Sequence, residues 1–494
     1  MKKQGISHAL VFLLLIVVLF RIPNLFEPYW YGDEGISLTL GQAIRHGLIL
    51  YRDIHDNKTP LLYIIAAIAG TEFWFKFILL FWHLATIAVF FKLSELLLPQ
   101  HPRAPVFASI FVAVLTMLPE GNIANGEIFM ILPVIAGMLS MMKASSIKHQ
   151  ASNGGYFLAG LFFAAGFLFK VPAVFDFAGA FVFLTLFQSA TVRGVVQKIF
   201  SKQTVSFSAG FFFPIILSIA YYANKGALAP YLRSALLQNI GYLGSWSAGT
   251  QDAMATMTHS GLFLRTVLLG LSTLLLWRKS GRLKFSIPFQ FSVLWFLFAL
   301  YGALLSERPY PHYLIQPAVP GALLLALFIY EKQRATQTTI LMLGAIGIFS
   351  YFNIGFWQYP VLSYYQNFLN WTLKRETTEQ YFSYFGDHVN RTYEVAKLIK
   401  LMTKPDDRIF IWGDEPMVYA ASDRLPVGRY TVAYHIADFN GYDETIKAIQ
   451  EKKPSLVVIF SSESRPFPQL FFELSSHYTS IKKIDDAIFF KRIK

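Results

Sequence analysis

Eleven long apolar runs along the chain limit what it can fold into. Several of them are long enough to cross, as α-helices, the roughly 30 Å of hydrocarbon in a bilayer. Only 15% of the 494 residues are charged, against roughly 25% in soluble proteins, so the chain has too few charges to cover a water-facing surface. The sequence therefore predicts a polytopic α-helical membrane protein of about 11 transmembrane helices. The predicted spans are His8 to Phe26, Phe73 to Leu98, Pro105 to Leu118, Ile128 to Met142, Tyr156 to Phe169, Val171 to Phe187, Val205 to Tyr222, Leu262 to Trp277, Phe285 to Leu305, Tyr313 to Tyr330 and Thr338 to Phe356.

The first apolar run is interpreted as a retained membrane span. It follows Lys2 and Lys3, as the core of a signal peptide would, but it continues into Arg21-Ile22-Pro23 without a small-residue cleavage site. The absence of cysteine excludes disulfides, thiolate metal sites and cysteine nucleophiles. The net charge of +13 is attributed to basic cytoplasmic loops and contacts with anionic membrane lipids, so no nucleic acid partner is predicted.

The distribution of lysine and arginine predicts the orientation in the membrane. With eleven spans and a cytoplasmic N-terminus, the strongly basic loops all fall on the cytoplasmic side, as the positive-inside rule requires. The apolar segment Leu61 to Gly70 has only ten residues, and counting it as a span would place those loops outside. We therefore interpret it as an interfacial or re-entrant helix. The predicted cytoplasmic loops contain Arg103, Lys143, Lys148, Arg193, Lys198, Lys202, Arg278 to Lys284, Lys332 and Arg334.

This topology places the first loop, at residues 23–72, and the C-terminal tail on the outer side of the membrane. From about Tyr393 the composition changes to that of a soluble domain, with predicted strands at Arg408 to Trp412, Leu456 to Phe460 and Ile488 to Phe490, and a charged helix at Tyr442 to Glu451. The predicted organisation is a transmembrane domain at residues 1–356, a linker at 357–392 and a small outward-facing α/β domain at 393–494.

Polar residues are dense in the first outer loop. It reads Tyr31-Gly32-Asp33-Glu34-Gly35 and, about twenty residues later, Tyr51-Arg52-Asp53-Ile54-His55-Asp56-Asn57-Lys58-Thr59-Pro60-Leu61. The apolar spacing of Ile36 to Ile49 predicts a helix, which places Asp33-Glu34 just before its positively polarised N-terminus. A carboxylate pair at that position can cap the helix, and capping does not exclude a catalytic role.

Three segments carry a resemblance to a known superfamily: Asp33-Glu34 with the stretch Gly47 to Tyr63, Asn125-Gly126-Glu127 before the fourth span, and Arg308-Pro309-Tyr310-Pro311-His312-Tyr313 before the tenth. The first resembles the first outer loop of GT-C superfamily glycosyltransferases, in the bacterial branch of protein O-mannosyltransferases, lipid A aminoarabinose transferases and rhizobial galacturonosyltransferases. The second is similar to the superfamily's second acidic site, and the third to its later basic and aromatic motif. Many relatives have Lys-Pro-Pro where this chain has Lys58-Thr59-Pro60.

The resemblance implies a glycosyltransferase that moves a sugar from a polyprenyl-phosphate carrier to an acceptor hydroxyl, at the outer face of a bacterial-type inner membrane. Such a donor has a good leaving group, so the reaction needs a base for the hydroxyl and cations for the departing phosphate. Asp33 is the predicted base. Glu34 is predicted to orient Asp33, to contact the acceptor or to share its proton. A single in-line displacement would invert the anomeric carbon.

Further residues of the three segments are predicted to bind substrate. Lys58, Arg308 and His312 stand at outer ends of spans, where a lipid phosphate would lie, and Tyr310 belongs to the same motif. The alternative for each cation is a side chain that anchors the span among lipid headgroups. The remaining predicted substrate-binding residues are His55, Asp56 and Glu127.

Three questions stay open at the level of sequence. Asp33, Glu127 and Asp56 are candidate ligands of a divalent metal, Mg²⁺ or Mn²⁺, but their spacing dictates no ligand geometry. The acceptor is a lipid, a glycan or a protein, and aromatic residues of the loop Ala223 to Gly261 either stack on it or lie at the membrane interface. The main rival function is a transporter or flippase, whose mark would be ionisable residues facing inward at mid-membrane depth.

Overall fold

The computed structural model describes residues 2–118, 120–145, 152–189, 191–241 and 261–493. The chain divides into two compact units. Unit 1 comprises Met1–Arg21, Leu79–Tyr221 and Leu236–Tyr359, and unit 2 comprises Ile22–Ile78, Tyr222–Ala235 and Pro360–Lys494.

Unit 1 is built from apolar helices. Each of the eleven predicted spans corresponds to one helix, although one of these, α4, begins in unit 2. Six helical segments are long and apolar enough to cross a membrane, among them His8–Phe26 and Glu72–Leu97, and four more are apolar but shorter. The chain is therefore an integral membrane protein, and the number of eleven crossings stays a prediction. The eleven helices are α1 (Lys2–Arg21), α4 (Glu72–Leu97), α5 (Ala104–Met117), α6 (Gly126–Ala144), α7 (Asn153–Phe169), α8 (Ala173–Leu186), α10 (Lys202–Asn224), α13 (Leu262–Leu283), α14 (Ile287–Ala303), α15 (Ile315–Tyr330) and α16 (Arg334–Ile354).

Glycine lets two of these helices approach closely. A Cβ on Gly160 of α7 would lie 2.2 Å from the carbonyl oxygen of Phe207, and a Cβ on Gly210 of α10 would lie 2.1 Å from that of Phe157. Small residues at such crossings are how membrane helices bring their backbones into contact, because lipid supplies no hydrophobic force between them. Unit 1 also contains three short helical segments, which are α9 (Val192–Ile199), α12 (Gln238–Gly241) and a 3₁₀ turn at Pro311–Leu314.

Unit 2 contains the first outer loop and the C-terminal domain. In the first loop, a 3₁₀ turn (Pro23–Phe26) precedes α2 (Gly32–Arg45) and the nine-residue α3 (Leu61–Ala69). The segment Leu61 to Gly70 is thus helical but, as predicted, too short to span. The other elements of unit 2 are α11 (Leu228–Tyr231), α17 (Val361–Thr372), α18 (Thr378–Ser383), α19 (His388–Met402), α20 (Pro416–Ser422), α21 (Ala433–Asp438), α22 (Tyr442–Lys452), α23 (Pro468–His477), β1 (Phe410–Trp412), β2 (Leu456–Phe460), β3 (Tyr478–Ile484) and β4 (Ala487–Arg492).

The four strands of the C-terminal domain form one sheet in the order β1-β2-β4-β3. Strand β1 is parallel to β2, whereas β4 is antiparallel to both β2 and β3. Side chains of β2 alternate between two cores, with Val457 and Ile459 in one and Leu456, Val458 and Phe460 in the other. Because helices cover both faces, β2 is a continuous apolar run, which is why the sequence predicts it.

Two local features differ from the sequence prediction. Strand β3 was not predicted because it is an edge strand whose residues are mostly exposed and include Lys482 and Lys483, so it lacks apolar alternation. Helix α2 begins at Gly32, so Asp33 and Glu34 lie inside its first turn and not before it. There their charges still face the positive end of the helix.

Candidate functional site

The first polar cluster, in unit 2, is centred on Asp33. Its Oδ2 atom lies 3.3 Å from Nζ of Lys58, and the same Nζ lies 3.3 Å from Oδ2 of Asp56. One lysine therefore faces two aspartates. The Asp33 side chain is 33% exposed, whereas those of Lys58 and Asp56 are 11% and 2% exposed. Asp33 is thus the carboxylate of this cluster that a substrate can reach.

Asp56 is buried beneath this pair. The hydroxyl of Tyr63 on α3 donates a hydrogen bond of 2.6 Å to its Oδ2, and Nε2 of His435 on α21 lies 3.7 Å from its Oδ1. Burial alone would raise the pKa of Asp56, but the charge of Lys58, the nearby His435 and the Tyr63 hydrogen bond hold that pKa well below its usual range. Asp56 therefore stays ionised, and its carboxylate holds the ammonium group of Lys58 in place.

Two buried histidines adjoin Asp56. The rings of His55 and His435 lie 5.2 Å apart edge to face, and Nδ1 of His55 lies 3.2 Å from the Ser234 hydroxyl. Burial, reinforced by His435, lowers the pKa of His55 to about 3, and burial also lowers the pKa of His435 despite the charge of Asp56. Both rings are therefore neutral at pH 7, so His55 is present in the cluster without adding a charge.

The buried histidine predicts an acid-sensitive stability. Unfolded histidine titrates near pH 6.5 and folded His55 near 3, so as the pH falls from 7.5 to 5 the unfolded chain gains a proton that the folded protein excludes. We expect the free energy of unfolding of the wild type to fall by about 2 kcal/mol over this range, since each unit of pKa difference is worth about 1.4 kcal/mol. His55→Gln lacks the titrating ring and should not show this loss. The measurement is thermal unfolding at the two pH values. His46→Gln, at an exposed position in the same loop, should follow the wild type.

Glu34 points into a separate buried cluster. Its Oε1 atom lies 2.6 Å from Nζ of Lys76, which also lies 3.0 Å from Glu27 and 3.5 Å from Glu72. Asp33 and Glu34 thus have different cationic neighbours, although they are adjacent in sequence. Glu34 is only 1% exposed. Contact with an acceptor, one of its three predicted roles, would require this cluster to open.

The second polar cluster, in unit 1, surrounds the start of α6. The side chain of Asn125 accepts a hydrogen bond of 3.1 Å from the Ile128 amide and so caps the helix. Gly126 leaves room for Lys170, whose Cδ would lie 2.8 Å from a Cβ at that position. The Nζ of Lys170 then lies 2.5 Å from Oε1 of Glu127. The structure thus pairs Lys170, which stands between two apolar runs of the sequence, with a predicted site residue.

His312 joins the same cluster. Its Nδ1 lies 2.5 Å from Oε2 of Glu120, and its Nε2 lies 3.8 Å from Oε1 of Glu127. The rings of Tyr310 and His312 are stacked, with centroids 5.6 Å apart. Arg308 is half-buried in the turn that leads into this motif. The structure therefore brings the candidate residues Glu127, Tyr310 and His312 together and adds Glu120 and Lys170 to the cluster.

An apolar cavity of about 800 Å³ lies beside this motif in unit 1. Its walls come from α14, α15 and α16, with Trp357 and Tyr359 at the end of the unit. Pro311, the residue before His312, also lines it. A space of this size and character suits an aliphatic chain, and it begins next to a polar cluster.

Two hypotheses from the sequence, a divalent metal site and an acceptor loop with aromatic residues, stay predictions. Among the residues described, no group of three or more histidine, aspartate or glutamate side chains is placed to hold a metal ion. Asp33 and Asp56 instead share a lysine, and Glu127 has its own. In the predicted acceptor loop, Tyr242 and Trp246 lie outside the described residues. Tyr231 is buried, with its ring stacked at 4.3 Å on that of Tyr222.

Sequence reasoning missed three buried groups. Lys76 stands near the start of an apolar run, where a charge is not unusual, and His435 lies in the tail, where nothing in the sequence links it to the first loop. Asp176 on α8 is buried in unit 1, where it accepts hydrogen bonds of 2.6 Å from Trp295 and 2.7 Å from Gln316. Both Asp176 oxygens are satisfied by protein donors, which is typical of a packing role. In the sequence its only signal is a lone acid inside an apolar run.

Comparison with known proteins identifies the fold. The crystal structure of ArnT from Cupriavidus metallidurans bound to undecaprenyl phosphate is similar to this chain with a TM-score of 0.59 at 10% sequence identity, over 98% of each chain. ArnT from the same organism in the apo state gives a TM-score of 0.54 at 10% identity, over 99% of this chain and 98% of that chain. Neither a family model nor a curated protein sequence matches. The likeness confirms the GT-C fold that the three sequence segments predicted.

Proposed function

We propose that this chain, which has the GT-C fold, is a glycosyltransferase that moves a sugar from a polyprenyl-phosphate carrier to an acceptor hydroxyl at the outer face of the membrane. The fold comparison supports the carrier, since ArnT was solved bound to undecaprenyl phosphate. The outer face is supported by the distribution of basic loops. The residues of the two polar clusters support the chemistry.

The exposure of Asp33 is the observation that carries the proposal. In the polar cluster of unit 2, Asp33 is the solvent-exposed carboxylate, and Nζ of Lys58 lies 3.3 Å from its Oδ2 atom. Asp33 would accept the proton of the acceptor hydroxyl as the new bond to the anomeric carbon forms. The bond from that carbon to the phosphate oxygen breaks at the same time, and polyprenyl phosphate leaves with the electron pair. One such displacement inverts the anomeric carbon.

Lys58 has a role that follows from its two contacts. Because the ammonium lies 3.3 Å from both Asp33 and Asp56, it holds the Asp33 carboxylate in one orientation before the acceptor arrives. Its positive charge is also available to a phosphate, the role predicted from the sequence. Lys58→Met should therefore lower the turnover number more than it changes the acceptor KM.

The polar cluster of unit 1 is proposed to hold the lipid phosphate. Arg308 and His312 belong to the turn that opens onto the apolar cavity, where Pro311 is part of the wall. A polyprenyl tail in the cavity would bring its phosphate next to these two side chains. Lys170, whose Nζ lies 2.5 Å from Glu127, is a further candidate.

Filling the cavity should weaken binding of long-chain donors. Gly344 of α16 lines it, and a Cβ at Gly344 meets no atom within 4 Å. We expect Gly344→Phe to raise the KM for a full-length polyprenyl donor about tenfold, which corresponds to about 1.4 kcal/mol, with little effect on a short-chain donor. Gly270→Phe on α13 is the control, since Gly270 is equally open but lies outside the cavity wall. Equal effects on both donor lengths would count against a tail in this cavity.

Mass spectrometry of lipids and glycans from cells that lack the protein tests the proposal in the cell and identifies the partners. If the protein is a transferase, cells that lack it should be missing one sugar decoration and should accumulate the polyprenyl-phosphate donor. An unchanged lipid and glycan profile under conditions in which the protein is expressed would count against transfer.

A further inference from the structure

A polar cavity of about 430 Å³ lies in unit 2, between the first outer loop and the C-terminal domain. Its volume falls within the range of about 300–1,000 Å³ that is usual for small-molecule sites. Nothing in the proposed reaction uses it. Four cations and two carboxylates line it: Arg52, Arg408, Arg429 and Lys452, with Asp53 and Glu444.

Two ion pairs occupy both carboxylates of the cavity. The guanidinium of Arg52 donates two hydrogen bonds, of 2.7 and 2.9 Å, to the two oxygens of Asp53. Nη2 of Arg429 lies 2.8 Å from Oε2 of Glu444. These pairs leave two of the four positive charges without a carboxylate among the cavity residues.

The two uncompensated cations are Arg408 and Lys452. Within the described parts of the chain, Arg408 makes neither an ion pair nor a side-chain hydrogen bond, and Nζ of Lys452 donates to the backbone carbonyl of Val427 at 2.8 Å. Burial and the neighbouring charge of Arg408 lower the pKa of Lys452 more than Asp53 and Glu451 raise it. With four cations against two carboxylates, the wall of the cavity carries a net positive charge.

Part of the wall carries no side chains. Gly47 has φ of +79°, a conformation that favours glycine, and a Cβ there would meet nothing within 4 Å. At Gly428 a Cβ would meet only the Ala448 side chain, at 3.9 Å. Backbone and guanidinium groups thus surround an open volume, and the Nε atom of Arg429 is buried without a hydrogen-bond partner among the described residues.

We propose that this cavity binds a phosphate ester, carried by a glycan or by a lipid headgroup. The excess of two positive charges matches the charge of about −2 on a phosphate monoester at neutral pH. Arginine presents its donors in a fork that fits phosphate oxygens, and both Arg408 and Arg429 face this volume. The inference concerns binding alone and does not depend on sugar transfer.

Titration of the purified full-length protein with inorganic phosphate, at constant ionic strength, tests the inference by thermal unfolding. We expect saturable stabilisation of the wild type and an apparent affinity about tenfold lower in Arg408→Ala, because that variant loses a charge-assisted hydrogen bond to the anion. Arg52→Gln is a second variant that should weaken binding. Lys447→Ala, on the same helix as Lys452 but 74% exposed at its side chain, is the matched control and should bind like the wild type.

Reconstitution into nanodiscs separates the two sources of phosphate. If the natural ligand is a lipid headgroup, discs that contain phosphatidic acid, whose headgroup is a phosphate monoester, should abolish the response to inorganic phosphate, and discs of phosphatidylcholine alone should retain it. If it is a soluble or glycan-borne phosphate, the response should be the same in both. Absence of saturable stabilisation in the wild type, or an equal response in Arg408→Ala and Lys447→Ala, would overturn the inference.

Discussion

Replacing Asp33 by asparagine is expected to reduce the rate of sugar transfer by about 10²–10⁴-fold, the usual contribution of a positioned general base. The substitution keeps the size of the side chain and removes the group that accepts the proton. Because Asp33 is a third exposed and its contact with Lys58 is 3.3 Å long, we expect little loss of stability. The measurement is the initial rate of product formation with matched thermal unfolding of both proteins.

Asp443→Asn provides the control for Asp33→Asn. Asp443 is an exposed aspartate in the first turn of α22 and takes no part in either cluster. Its substitution should leave the rate unchanged. Wild-type rates in Asp33→Asn, with the folded protein confirmed, would exclude Asp33 as the base.

Replacing Lys76 by methionine is expected to be among the most destabilising substitutions in unit 2. The lysine is fully buried and lies within 3.5 Å of Glu27, Glu34 and Glu72. Removing one partner of a buried ion pair typically costs about 3–5 kcal/mol, because the opposite charge stays buried and unpaired. Here three carboxylates lose their cation. The measurement is the unfolding temperature of the purified protein.

Lys92→Met is the control on the same helix. Lys92 pairs with Glu95, but their side chains are 60% and 40% exposed, so its removal should change stability by no more than about 0.5 kcal/mol. The double variant Lys76→Met with Glu34→Gln should recover part of the stability lost, because it removes one of the unpaired charges. Equal unfolding temperatures for Lys76→Met and Lys92→Met would show that the buried cluster does not hold this region together.

The membrane helices were predictable because each depends on a local property of the chain. An apolar run such as Glu72–Leu97 is readable from its own residues, and its bounds agree with the prediction within one residue at each end. The continuous apolar strand β2 was predicted for the same reason. The edge strand β3 has no such pattern, so only its pairing with β4 reveals it.

The clusters were predictable only in part. Asp33, Lys58 and Asp56 lie within one loop, so the residues that carry the resemblance also supply their contacts. His435 lies nearly four hundred positions further along the chain, and only tertiary folding places it 3.7 Å from Asp56. The different neighbours of Asp33 and Glu34 are equally a matter of helix geometry, since adjacent residues of a helix point about 100° apart.

Incubation of the purified wild type with a labelled polyprenyl-phosphate sugar and acceptor-containing membranes, followed by chromatography of lipid and sugar products, tests the central claim most directly. We predict that the label moves from the lipid to an acceptor, that free polyprenyl phosphate appears, and that Asp33→Asn slows both by about 10²–10⁴-fold. Intact donor after incubation with acceptor-containing membranes, together with movement of that donor across the bilayer of proteoliposomes, would contradict a transferase and indicate a flippase.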